Sequence, residues 1–461
     1  MRLDSAVHDR PLDDHLADHL IDAGLAIARA TTGLTCIALP VPLVASAAII
    51  AAWRAAPVVA WSHGDTALVG VGIARELRGT GPERFAQIVA QARQLEVTAT
   101  VGHRAWTPRL FGGAAFAEGG ADLAPWAGFG DAWFALPRWT LGGGWLVLAV
   151  DAREAKQDAR WRDELAAFRV AIAKGFAARP QPAMTRLDPG DTERWRAYVQ
   201  AITEAIARGE CEKVVAARNV LVELAGEARP ADLFAELDAR HPELARVLVR
   251  PPNAGTLIAA TPERLVELDG LTVRCDALAG SLARRDARDR DTIDPPGDAA
   301  ALLASAKDRN EHALVVSAIT DTLRGLGAEV EAPAQPGIRT LRDVLHLHTP
   351  ISARLHERRH VLELAAALHP TPAMGGTPTR VAQRWIAERE AARGWYAAPV
   401  GWFDLEGNGE LAVAIRSGVV EGPRAHLYAG SGIVAGSDPD RELAETDVKL
   451  RAMLGALGVR A

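Results

Sequence analysis

The sequence predicts an α+β fold, on three observations. Short apolar runs bounded by Gly, Pro, Asn and Asp recur along the chain and pair as hairpins. Amphipathic helical patterns lie between them without strict β-α-β alternation. With 461 residues, the chain is longer than one small core can organise, so one compact two-lobed unit is expected.

Taken in order, the opening stretch MRLDSAVHDRPLDDHL is charged throughout and has no apolar centre, so no secretory signal is expected. Residues 34–53 carry no charge over twenty positions. A lipid-spanning helix there would have backbone groups freed by Pro40 and Pro42 that need neighbours. A buried strand at 36–39 and a helix beginning near Pro42 account for the stretch instead. Residues 58–74 (VVAWSHGDTALVGVGIA) read as two strands around a His-Gly-Asp turn, and 83–95 as an amphipathic helix. Gly, Trp and Phe among short apolar runs make 110–150 antiparallel sheet, and a helix follows over 154–176. Pro180, Pro182 and Pro189 mark 178–190 as a linker. It divides an N-terminal portion, 1–185, from a second portion, 191–461.

Past the linker, Trp195, Tyr198, Ile202 and Ile206 define a helix over 191–209. Strands are expected at 214–217, 247–249, 256–260 and 265–268, and helices at 305–323 and 380–393. Residues 397–404 and 410–417 form a strand pair turning at Glu406-Gly407-Asn408-Gly409. A strand at 425–429, a glycine loop and a helix over 440–457 close the chain.

Composition excludes some functions. The balance of 52 basic against 58 acidic residues gives a net charge of −6, and no basic run is interleaved with aromatics, so nucleic acid is not an expected partner. Cys36, Cys211 and Cys275 are odd in number and scattered, which suits a reducing cytoplasm.

Several residues carry possible chemistry. Asp308 and Glu311 lie three apart in a helical pattern, and Glu442 and Glu445 repeat the spacing. Two acid pairs suit a hard cation such as Mg²⁺. Taken alone, the spacing more commonly marks exposed partners of residues such as Arg309, Arg441 and Lys449. Lys213 opens an apolar strand; burial would make it a base near neutral pH, whereas at a strand edge it would simply face water. Glu263, at a corner in TPERLVEL, is either an acid with a raised pKa or an exposed turn residue. The glycines of AGSGIVAG (429–436) lack dinucleotide spacing, and no ribose-binding acid can follow them in a second strand. Gly430 and Gly432 more readily let backbone N–H groups approach a small carboxylate. Leu278-Ala279-Gly280-Ser281 offers a second such loop.

In this order, EKVVAAR, TPERLVEL, ALAGS, KDRNEH, LHLHTPI, LHPTPAMGGTP, GWYAAPVGWFD, AIRSG and AGSGIVAGSDPDRELAETDVK resemble the chorismate-utilising enzymes. That family includes isochorismate, salicylate, anthranilate and aminodeoxychorismate synthases. The resemblance covers about 192–457 and continues more loosely through GGAAF and WAGFGDAWFALPRW. It implies a layered fold of antiparallel sheets enclosed by helices, with the site in a cleft between them. It also implies that Glu311 and Glu445 bind Mg²⁺ directly, with Asp308 and Glu442 acting through water. Lys213 matches the base that activates water and Glu263 the acid that protonates the departing C4 hydroxyl. Arg416, Lys449 and the backbone of Gly280, Gly430 and Gly432 match the carboxylate-holding positions. His346, Ser281 and Ala373 match positions beside the substrate.

Within the family, Lys213 favours water over ammonia as nucleophile. Ala279 stands where aminodeoxychorismate synthases carry a nucleophilic lysine, and LHPTPAMGGTP is similar to isochorismate synthases. The resemblance therefore implies a Mg²⁺-dependent conversion of chorismate to isochorismate. No coiled coil or large exposed apolar stripe demands a partner, so a monomer is expected. Salicylate synthase is the nearest rival and a non-catalytic chorismate-binding homologue the rival from another class. Intact Lys213, Glu263 and both acid pairs speak against the latter.

Overall fold

The computed structural model describes residues 14–103, 106–284 and 297–459. The N-terminal stretch read as lacking a signal segment lies outside these residues up to position 13. Among the described residues, strands gather into one sheet of thirteen and another of ten. Pairing is antiparallel apart from Leu34–Pro40 beside Val97–Val101. The α+β expectation holds.

Alternation along the strands explains why they read as continuous apolar runs. In Leu34–Pro40, Cys36 and Ala38 face the core shared by the two sheets, while Ile37 and Leu39 face a second core under helices. Trp61 and Ala60 split in the same way. Both faces of the thirteen-stranded sheet are thus buried, so alternate residues need not be polar. Helices Asp14–Ala30, Asp158–Lys174, Pro230–Arg240 and Pro439–Ala456 supply the second core with Ile21, Phe168, Phe234 and Met453. Fully burying one such side chain stabilises by about 1.5–3 kcal/mol.

Both sheets run across the Pro-rich stretch. Val58–His63 pairs with Ala245–Arg250, Trp61 opposite Val247, and Arg109–Ala114 pairs with Pro399–Asp404. The stretch at 178–190 is not a free linker: Met184–Asp188 adds a strand beside Lys213–Leu224. The helix expected near Pro42 is Ser46–Ala52. The residue before a proline avoids helical backbone, and Val41 instead donates to the Gly144 carbonyl at 2.9 Å, prolonging the sheet.

Two expected glycine loops are strands. Gly430 and Gly432 lie inside Arg424–Ile433, opposite Ala217 and Val215 of the Lys213–Leu224 strand. Gly280 lies within Thr272–Ala283, where the register with Val344–Leu355 shifts between Ala279 and Ser281. Glycine there means close approach rather than a turn. A Cβ on Gly432 would stand 2.7 Å from Glu311 Oε1 and 2.8 Å from Lys213 Cε. Gly280 adopts a φ of +76° beside Asp308.

This architecture positions the site. Helix Ala306–Gly325 packs on Thr272–Ala283, and Pro439–Ala456 runs back over Arg424–Ile433. Their facing sides and the strand ends beneath them enclose one cleft.

Candidate active site

The two helices bring their acid pairs to the same cavity, as the spacing allowed. Asp308, Glu311, Glu442 and Glu445 all line it. Ser305 and Asp438 cap the two helices that frame the cleft, each accepting from the backbone N–H three residues on. Ser305 also holds the Asp308 carboxylate. Glu442, buried, accepts from Ser431 Oγ and lies 3.4 Å from Lys307 Nζ. Glu445 meets Lys449 at 2.7 Å. Burial opposes the charge on Glu445, but the Lys449 ammonium holds its carboxyl below the usual range. Asp308 is pushed the other way, first by burial and then by the charges of Glu311 and Glu445.

Lys213 is buried, and its Nζ donates to Glu311 Oε1 at 2.7 Å. It therefore does not cap a strand edge in water. The missing side chain of Gly432 leaves room for this pair. Glu263 is also buried, at the corner between Thr256–Thr261 and Arg264–Asp269. Its carbonyl accepts from Val413 N at 3.0 Å, fixing the corner. Burial, reinforced by the Asp276 carboxylate, lifts the Glu263 carboxyl to about 8. It is a neutral acid at pH 7, with a proton to give.

Arg416 occupies left-handed backbone, φ +48°, between Gly409–Val413 and Ser417–Glu421. Such a conformation costs about 1–3 kcal/mol in a non-glycine residue and concentrates at functional sites. Its guanidinium contacts His346 Nε2 at 3.0 Å, and His346 Nδ1 contacts Ser281 Oγ at 2.9 Å. Arginine only donates, so Nε2 accepts and the neutral ring carries its proton on Nδ1. Burial and then the Arg416 charge keep His346 uncharged, well below the usual histidine range. Arg416 itself is lowered to about 10 by burial and stays cationic at neutral pH.

The remaining expected residues fall in the same place. Gly280, Ser281, His346, Ala373, Gly430 and Gly432 line the cavity with Glu263, Arg416 and Lys449. Lys449 Nζ also donates to the Gly430 carbonyl at 2.9 Å. The enclosed cavity is about 100 Å³. Sequence reasoning did not single out Lys307, Tyr396, Tyr428 or Asp276. Lys307 adjoins Asp308 in sequence and could have been found. Tyr396 and Tyr428 stack at 5.3 Å under the cavity, a pairing between distant segments that no local pattern signals.

An arginine and a lysine that can grip carboxylates, facing a neutral buried carboxyl, equip this cleft for acid–base work on a small anion. The class is therefore an α+β enzyme of small-molecule metabolism. The chain belongs to the chorismate-binding enzyme family, whose model, described as "Chorismate binding enzyme", matches residues 27–458. It is 37% identical to the salicylate biosynthesis isochorismate synthase of Pseudomonas aeruginosa, over 89% of this chain and 87% of that protein. It is 32% identical to the isochorismate synthase MenF of Bacillus subtilis, over 86% and 87%. Its fold is similar to that of the menaquinone-specific isochorismate synthase MenF from Escherichia coli. That likeness has a TM-score of 0.77 at 24% identity and covers 95% of this chain and 99% of that one.

Proposed function

We propose that this chain converts chorismate to isochorismate. The observation that carries the reading is one cavity lined by a buried neutral carboxyl and by Glu311, to which the buried Lys213 donates, in a chain whose relatives are named isochorismate synthases. The reaction adds the oxygen of water at C2, shifts the ring double bonds and expels the C4 hydroxyl. One proton must leave the incoming water and one must reach the departing oxygen, so the product is an isomer of the substrate. Lys213 takes the first proton and Glu263 supplies the second. Arg416 and Lys449 hold the two carboxylates of the dianion, and Ser281 and His346 hold Arg416 in place. General acid–base help of this kind contributes about 10²–10⁴-fold.

Mg²⁺ fits the carboxylate wall. All four groups offer oxygen ligands, and burial, with the neighbouring charges of Glu311 and Glu445, raises Asp308 in the absence of a cation. Among the described residues no three such side chains are drawn together tightly enough to ligate one ion; Lys213, Lys307 and Lys449 each engage one of them instead. Glu311 and Glu445 would hold the ion directly, with Asp308 and Glu442 acting through water. Bound, it would supply positive charge to a substrate carboxylate and draw Glu311 away from Lys213, leaving the amine free to accept a proton.

Three free buried cysteines are compatible with a reducing cytoplasm. The test is the Mg²⁺ dependence of chorismate consumption, followed by absorbance. Turnover that stops with a chelator and returns with Mg²⁺ is expected. Undiminished turnover in the chelator would remove the metal from the reading.

A further inference from the structure

Behind the cavity wall lies a buried ion pair that the chemistry above does not use. Glu390 and Arg393 are 4% and 3% exposed. Arg393 Nε and Nη2 reach the two Glu390 oxygens at 2.7 and 2.8 Å. The guanidinium also donates from Nη2 to the Val215 carbonyl at 2.6 Å and from Nη1 to the Met374 carbonyl at 3.0 Å. It stacks over the Phe116 ring at 4.5 Å. Glu390 Oε1 in turn accepts from Tyr198 Oη and from Ala217 N, both at 3.1 Å.

The two carbonyls belong to residues that line the cavity from opposite segments. Val215 is two residues from Lys213 on the same strand. Met374 follows Ala373 in the segment that returns as Gly376–Thr377 to pair with the start of that strand. Lys213 stands opposite Thr377, Val214 opposite Gly376, and Val215 N donates to Gly375 O at 2.9 Å. The Lys213 strand is held along its length by Arg424–Ile433, whereas Gly376–Thr377 is a two-residue strand joined to it by few ladder bonds and can shift against it. A planar fork with donors on both sides, itself fixed by a bidentate carboxylate, opposes that.

We propose that Glu390 and Arg393 are positioning residues, a strut that locks the Lys213 strand to the 371–377 segment and so sets where the lysine stands relative to substrate. The assignment rests on the reading of Lys213 as the base. Arg416 and Lys449, which grip the substrate, make no contact with the strut, so its loss falls on the chemical step rather than on binding. Misplacement of a catalytic group by about 1 Å can cost about 10²-fold.

The experiment uses the full chain as Arg393→Lys and Tyr198→Phe variants beside wild type, measuring kcat, KM for chorismate with Mg²⁺, melting temperature and amide hydrogen exchange. Arg393→Lys keeps a cation beside Glu390 but cannot reach both carbonyls. Its kcat should fall by about 10- to 100-fold with KM near wild type, and exchange should speed up at 212–217 and 374–377. Tyr198→Phe removes one support of Glu390 and should lower kcat to a smaller extent, again with KM unchanged. Normal kcat with a lowered melting temperature, or a rise in KM alone, would overturn the proposal. If Arg393→Lys does not fold, a normal kcat and normal exchange in Tyr198→Phe overturn it equally. Wild-type protein that leaves chorismate unchanged defeats the functional reading instead. Exchange at the two segments then decides whether the strut exists: faster exchange in Arg393→Lys supports it and unchanged exchange rejects it.

Discussion

Lys213 and Glu263 are charged-type residues buried in the same region, and burial treats them differently. Lys213 keeps a carboxylate at 2.7 Å; Glu263 has Asp276 nearby and is lifted to about 8. In the proposed reaction Glu263 is the acid and Lys213 the base. Lys213→Ala should lower kcat by about 10²–10⁴-fold, and near-normal turnover would exclude it as the base. Glu263 can donate only while protonated, so activity should fall as pH rises through about 8. In Glu263→Gln the residual rate should lose that alkaline limb; a pH–rate profile of both proteins checks this. A charge beside an apolar strand singles out both residues in the sequence, but that local signal alone favours an exposed role, and their expected roles rest on the family resemblance. Their burial was not legible, since it depends on which distant segments cover them.

At the scale of the element, local pattern and long-range pairing part company. Helices Ala306–Gly325 and Pro439–Ala456 were legible from periodicity, and their acid spacing survives folding intact. The glycines of the last strand were misplaced into a loop, because glycine signals turns unless its strand partners are known. Their partners are Val215 and Ala217, over two hundred residues earlier in the chain. Gly432→Ala tests the reason for that glycine. The new methyl would force Glu311 and Lys213 apart at their flexible ends rather than against backbone. Melting temperature should stay close to wild type while kcat falls by about 10-fold or more; a normal kcat would show that the close approach does not matter. The Glu390–Arg393 pair was equally hidden, since an i, i+3 acid–base spacing ordinarily marks an exposed helix pair.

Across the whole molecule, the two sheets that meet around the shared core draw strands from both sides of the Pro-rich stretch. The α+β class was visible from the hairpin and helix pattern, but the pairing between the halves was not, because register is set by contacts remote in sequence. Burial of ionisable groups gives the fold a pH window. Burial lowers His360 to about 4 and His369 to about 3, and holds His346 well down too. Their contribution is present above the ordinary histidine value and is lost as pH falls toward these lowered values. Glu263 acts oppositely: raised in the fold, it stabilises at low pH and loses that contribution as pH climbs to about 8. Denaturant melts should therefore show falling stability below about pH 6.5 from the histidines. Between there and pH 8, Glu263→Gln should flatten the decline seen in wild type; an unchanged slope would mean Glu263 titrates in the ordinary carboxylate range.

No helix among the described residues is long and apolar enough to cross a membrane. Product identification after incubation with chorismate and Mg²⁺ tests the central claim, by separating chorismate, isochorismate, salicylate and pyruvate over time. Isochorismate should accumulate to a fixed ratio with chorismate, and the same ratio should be reached starting from isochorismate. Salicylate and pyruvate as the main products, or no conversion in either direction, would contradict it.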